Sequence, residues 1–134
     1  MDCPCKSKLS YPTCCKPFHK GTSHPKTPEQ LMRSRFCAYA LKNVSYIMAT
    51  TDPLGAAYQQ QKKQWKQSIK EFCQSTRFQN LTLLDSCMID ASTATITFHA
   101  TLKTIFGQDV SFTETSLFKK VEDRWLYHSC LNLQ

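Results

Sequence analysis

Thr93-Ala-Thr-Ile-Thr-Phe-His-Ala-Thr-Leu-Lys-Thr-Ile-Phe106 alternates with a period of two. Ala94, Ile96, Phe98, Ala100 and Leu102 share one face, and Thr95, Thr97, His99, Thr101 and Lys103 share the other. That pattern predicts an antiparallel strand with one face in a core and one in water, so His99 is expected to point outward. Gly107-Gln108-Asp109 turns the chain, and Val110, Phe112 and Phe118 mark a second strand. Glu122-Asp123 turns into a third over 124–131, and 81–89 supplies one more.

Upstream the period changes. Thr27-Pro28-Glu29-Gln30 combines an N-cap, a proline at the first helical position, an acid in the first turn and a glutamine that completes a capping box. A helix is predicted from there to about Leu41. Asn43 caps a short second helix through Val44, Ile47 and Met48, stopped by Asp52-Pro53. A third, from about Ala56 to Thr76, sets Trp65, Ile69, Phe72 and Cys73 at helical spacing. Helices first and a meandering sheet second define an α+β domain. The 134 residues, 41% hydrophobic and 20% charged, suffice for one core. No apolar run approaches the ~18 residues of a membrane helix, and the N-terminus lacks the apolar stretch of a secretory signal. The expectation is a chain that stays in a reducing cytoplasm, with no membrane partner.

Eight cysteines are therefore read as thiols rather than as a disulfide framework. Cys3, Cys5, Cys14 and Cys15 crowd at one end, while Cys37, Cys73, Cys87 and Cys130 are scattered in apolar contexts that read as packed thiols. A C-x-C followed after eight residues by C-C brings two ligand pairs around one ion, and four thiolates in a tetrahedron suit structural zinc. His19 and His24 read as exposed loop histidines, since four sulfurs already close the shell. The string Cys3-Pro-Cys5-Lys-Ser7-Lys-Leu-Ser10-Tyr11-Pro-Thr-Cys14-Cys15 resembles the SEC-C zinc motif found at the C-terminus of the translocation ATPase SecA. Lys6 and Lys8 stand where that motif has glycines, positions at which a side chain is costly if φ must be positive. Residues 16–27 are Pro, Gly, Ser and His with little to bury, and read as a linker.

A second resemblance covers the rest. Leu31-Met32-Arg33-Ser34-Arg35-Phe36-Cys37-Ala38-Tyr39-Ala40-Leu41, then Tyr46 and Ala49-Thr50, and later Glu114, Ser116, Phe118, Trp125 and Tyr127, resemble the middle domain of the YchJ-like family. The resemblance implies three helices cupped by a curved antiparallel sheet, a nuclear-transport-factor-2-like cone, behind a small zinc knuckle. It divides the chain into a knuckle at 1–19, a linker at 20–27 and the cone domain at 28–134. Tyr39, Trp125 and Tyr127 become candidate lining of a pocket in the cone. The family implies a fold and a metal but no reaction.

The net charge of +7 has two foci. Lys6, Lys8, Lys16, Lys20 and Lys26 surround the knuckle with Asp2 as the one acid, and Lys62, Lys66 and Lys70 recur on one face of the third helix. Three functions follow. A zinc-bearing accessory module would use the knuckle to contact a protein partner, as the related SecA motif docks acidic partners. A nucleic-acid-binding protein would use the basic knuckle and the lysine stripe on phosphates. A small-molecule-binding or enzymatic cone would need titratable groups converging on its pocket. No Asp–His or Cys–His pair can be assembled, so no catalytic residue is assigned and the residues point away from an enzyme.

On a helical wheel Arg35 falls between Leu31 and Tyr39, inside the apolar arc, with Arg33 on the far side. A guanidinium in a core needs a partner. Glu114, in phase with Phe112 and Phe118, is the expected one, and Asp85 the runner-up. Arg35 and Glu114 are thus expected to meet in the mouth of the cone, directly or through water.

Overall fold

In the computed structural model, which describes residues 1–134, the elements follow the predicted order. A 3-10 turn (Tyr11–Thr13) and a short helix α1 (Lys16–Lys20) precede α2 (Pro28–Ala40), α3 (Val44–Ala49) and α4 (Lys62–Ser75). Four strands follow, β1 (Thr76–Asp90), β2 (Thr93–Thr104), β3 (Phe112–Val121) and β4 (Arg124–Leu133). They form one antiparallel sheet in the order β1-β2-β3-β4. No helix is long and apolar enough to cross a membrane.

The caps work as the sequence chemistry requires. Thr27 accepts from the Gln30 amide at 3.1 Å, and Gln30 Oε1 reaches back to the Lys26 amide at 2.7 Å, one residue before the cap. Asn43 accepts from the Tyr46 amide at 3.2 Å and starts α3. The β3–β4 hairpin turns through Glu122 and Asp123, both at positive φ, as a two-residue loop of matching twist demands.

The alternating face of β2 forms the core floor. Ala94, Ile96, Phe98, Ala100 and Leu102 are buried against Leu31, Met32 and Phe36 of α2, with Leu81, Phe118 and Trp125 completing the cluster. On the outer face Thr97 bonds Thr115 at 2.8 Å and His99 Nδ1 bonds Thr113 at 2.9 Å, so His99 faces outward but is tied across strands. A smaller cluster of Ala38, Tyr46, Ile47, Ile69 and Cys73 joins the three longer helices.

Three elements depart from expectation: α1 forms within the 16–27 stretch read as a linker, because Phe18 packs against the small helical cluster, and β1 and α4 have other bounds. β1 runs from Thr76 rather than Leu81, and irregularities at Phe78/Asn80, Leu83/Asp85 and Met88/Asp90 break its pairing with β2. Each slip changes which side chains face inward, so no single alternation survives to be read. α4 starts at Lys62 rather than Ala56, because the preceding chain is strapped onto β4. Tyr127 donates to Thr50 O at 2.9 Å, Asp52 to Tyr127 O at 2.8 Å and Ala57 to His128 O at 3.4 Å.

Gly55 sits in that strap, and a Cβ there would overlap the His128 carbonyl. Gly55→Ala should therefore push the strap off β4 and cost about 1–3 kcal/mol, the worth of two or three backbone hydrogen bonds. Urea unfolding of the purified variant measures it, and an unchanged midpoint would mean that the strap yields freely.

Candidate metal centre and cone cavity

The first fifteen residues fold back on themselves so that two cysteine pairs meet. The Cys3 amide donates to Leu9 O at 2.8 Å and the Lys6 amide to Cys3 O at 3.1 Å. Both lysines in the turn adopt left-handed backbone, Lys6 at φ 67° and Lys8 at φ 73°. The turn needs the conformation that glycine takes without cost, and two β-carbons are held in it.

Cys3, Cys5, Cys14 and Cys15 bring their sulfurs within 4.8 Å of one another. Cys5 and Cys14 lie 3.6 Å apart and Cys14 and Cys15 3.8 Å. A tetrahedral ion with metal–sulfur bonds of about 2.3 Å sets its ligands about 3.8 Å apart, so this donor set fits one. Cys3, Cys5 and Cys15 are buried and Cys14 is half-buried, with the Ser7 hydroxyl 3.1 Å from its sulfur. The thiols perturb one another. Hydrogen bonding, chiefly from Cys15, draws the Cys5 thiol down to about 4, whereas burial pushes Cys3 up to about 12. Cys15 is raised, above all by its hydrogen bond with Cys37. A bound cation would take the place of these shared protons, because every ligand must be deprotonated.

The knuckle is not a free appendage. Cys37 of α2, fully buried, places its sulfur 3.7 Å from that of Cys3, so it belongs to the thiol cluster rather than to an apolar pocket. Arg33 Nη1 donates to Cys5 O at 2.8 Å. His19, expected in an exposed loop, is half-buried on α1: Nε2 donates to Ser34 O at 2.9 Å and Nδ1 pairs with the Tyr11 hydroxyl at 2.9 Å. Both ring nitrogens are spent, and burial holds its pKa below the ordinary histidine value. The neutral imidazole favours docking above that ordinary value, and the contribution is lost as pH falls through the lowered one. His24 is exposed as expected. Cys73 is a packed thiol, but Cys87 and Cys130 are exposed.

A second site lies under the sheet. Arg35 is buried, as the helical wheel requires, but its partners are not an acid. Nη1 donates to Ile47 O at 3.0 Å, Thr50 Oγ1 at 2.8 Å and Thr51 Oγ1 at 3.2 Å, all at the C-terminal end of α3. The guanidinium carbon lies 4.7 Å from the centre of the Tyr127 ring, and the Tyr127 hydroxyl donates to Glu114 Oε2 at 2.9 Å. Ser116 donates to the same oxygen. The expected direct Arg35–Glu114 pair is therefore absent and Tyr127 stands between the two charges. The one ion pair within 4.0 Å joins Lys120 and Asp123, and Asp85 is exposed. Burial first, and Glu114 second, raise the Tyr127 phenol well above its usual range, so it remains the donor. Arg35, Tyr39, Glu114 and Tyr127 all line a cavity of about 150 Å³. Trp125 does not: it is packed in the core and borders a groove beside α1. Lys62, Lys66 and Lys70 are exposed along α4, while Ile69 and Cys73 of the same helix are buried.

A cysteine knuckle docked on the first long helix of a four-stranded cone defines a nuclear-transport-factor-2-like protein with a candidate metal site. The profile described as YchJ, middle NTF2-like domain, matches residues 27–130, and the chain belongs to that YchJ-like family. It is 36% identical over 126 residues to a UPF0225 protein of Actinobacillus succinogenes, covering 93% of this chain and 78% of that one. The solution structure of a SEC-C motif containing protein from Rhodopseudomonas palustris superposes with a TM-score of 0.83 at 32% identity over all of both chains. The crystal structure of another SEC-C motif containing protein, from Psychrobacter arcticus, gives 0.75 at 26% identity, covering 96% of this chain and 81% of that one.

Two outcomes are expected. Lys6→Gly and Lys8→Gly should each stabilise the knuckle by roughly 0.5–1 kcal/mol, the left-handed penalty less the added freedom of glycine when unfolded. Chelator competition reads this as slower metal loss, and faster loss would show that the lysine side chains hold the turn. In urea unfolding Arg35→Met should cost about 3 kcal/mol and Glu114→Gln about 1 kcal/mol. The double variant should lose at least ~0.5 kcal/mol less than their sum, whereas strict additivity would show that Tyr127 does not couple the charges.

Proposed function

We propose that this chain is a zinc-bearing accessory module whose knuckle is a contact surface for an acidic segment of a protein partner. The observation that carries the reading is the pair of lysines at positive φ. Backbone strain at a turn persists where it serves something, and here it keeps Lys6 and Lys8, both exposed, where glycine would be easier. Four thiolates on a divalent ion sum to −2, which Lys6, Lys8, Lys16 and Lys20 more than offset. Arg33, His19 and Cys37 fasten the knuckle to α2, so its outward lysines are presented on a rigid base that limits the ordering cost of binding. Zinc is the ion that four thiolates in a closed tetrahedron suit, and eight free cysteines fit a reducing cytoplasm. The role is one of binding rather than catalysis.

Metal analysis and fluorescence anisotropy test the reading together. Protein purified without added metal should carry one zinc per chain, and a Cys14→Ser, Cys15→Ser variant none; full retention would overturn the ligand assignment. A glutamate-rich peptide should bind the wild type, and Lys6→Gly with Lys8→Gly should weaken it at least fivefold while leaving zinc content unchanged. If instead a single-stranded oligonucleotide binds more tightly, weakens steeply between 50 and 200 mM salt and is lost on replacing Lys62, Lys66 and Lys70 by Gln, the nucleic-acid reading takes its place.

A further inference from the structure

The cavity under the sheet has a composition that packing alone does not require. Phe36, Phe78, Phe98, Phe112 and Phe118 wall it, and its polar pole is Arg35 and Glu114 on either side of Tyr127. Its volume, about 150 Å³, is that of a cavity that takes a single benzene-sized ring. Aromatic walls receive a planar ring by edge and face.

The pole decides what the ring carries. Arg35 makes its three close hydrogen bonds through Nη1, with Tyr39 beside it, and Glu114 accepts its two through Oε2, with the Cys130 thiol beside it. Each charged group thus keeps hydrogen-bonding capacity on its other atoms, a donor edge on one and an acceptor on the other. The charges cancel, so a charged guest would gain from one group and be repelled by the other. A neutral guest with a donor beside an acceptor meets both. We propose that the cone cavity binds a small, uncharged, single-ring aromatic molecule bearing a carboxamide-like group, its ring among the phenylalanines and its polar edge facing the Arg35–Tyr127–Glu114 pole.

Three probes on the full-length protein test it by amide NMR titration: benzamide, benzoate and toluene. Benzamide should give saturable shifts at Phe98, Ala100, Glu114 and Tyr127, with benzoate and toluene at least tenfold weaker. Glu114→Gln leaves the pole positive and should move the preference toward benzoate by at least tenfold. Ala100→Leu, which fills the cavity from β2, should abolish the benzamide shifts. If that variant does not fold, Glu114→Gln still decides. The proposal falls if benzamide gives no saturable shift, if toluene binds as well (an apolar hole only), or if Glu114→Gln leaves the benzamide-to-benzoate ratio unchanged.

Discussion

Everything in this molecule leans on α2, a thirteen-residue helix with eight of its residues buried. Leu31, Met32 and Phe36 press into β2, and Ala38 meets α3 and α4. Ser34 and Cys37 lie beneath the knuckle. A helix that is apolar all round would meet those demands by packing alone, but this one also has to place an arginine and a serine inside. Burying them is tolerable because each has partners. Ser34 bonds its own Leu31 carbonyl and the Tyr46 hydroxyl, and Arg35 takes up the carbonyl and threonines that end α3. No buried side-chain polar atom is left without a partner. The polar contacts therefore do what oil could not: they fix the angle at which α3 meets α2 and hence where the strap meets β4.

How much of this was legible depends on whether the signal was local. The β2 alternation, the Thr27 and Asn43 caps and the two cysteine pairs each lie within a few residues, and each reads through directly. The inward turn of Arg35 was legible too, because helical phase is local. Its partner was not. Charge reasoning looks for an acid, whereas a carbonyl in the last turn of a short helix and two threonine hydroxyls served, none of which stands out in a sequence. Cys37 was misread for a related reason. Its sequence neighbours are apolar, yet the face it shares with Arg33 and Ser34 becomes the seat of a segment more than thirty residues upstream.

The remaining misreadings come from competition between elements. The start of α4 was overestimated because residues 56–61 have helical composition, but the Ala57 amide goes to β4 and the Tyr58 amide to Gly55 O. Trp125 was placed in the pocket together with Tyr127 by the family resemblance. Both lie on the inner side of β4, but Trp125 is packed into the core beside α2 whereas Tyr127 lines the cavity. Phase tells which side of a sheet a residue occupies; it does not tell what lies above it.

The knuckle and the cavity occupy opposite sides of the same turn of α2, with Arg33 and Ser34 facing one and Arg35 the other. A metal bound only by the folded knuckle stabilises it by mass action, and the knuckle in turn covers Cys37 and Ser34. Loss of such a metal would remove cover from the back of the helix whose front holds the guanidinium. The two sites share a support, but a shared support is not a switch. Coupling requires an element with two discrete arrangements that both sites bias, and α2, wedged between sheet, α3 and knuckle, has its polar groups committed to one. The arrangement favours rigidity: the knuckle holds the helix still, and a still helix is what lets one arginine keep its place under a sheet.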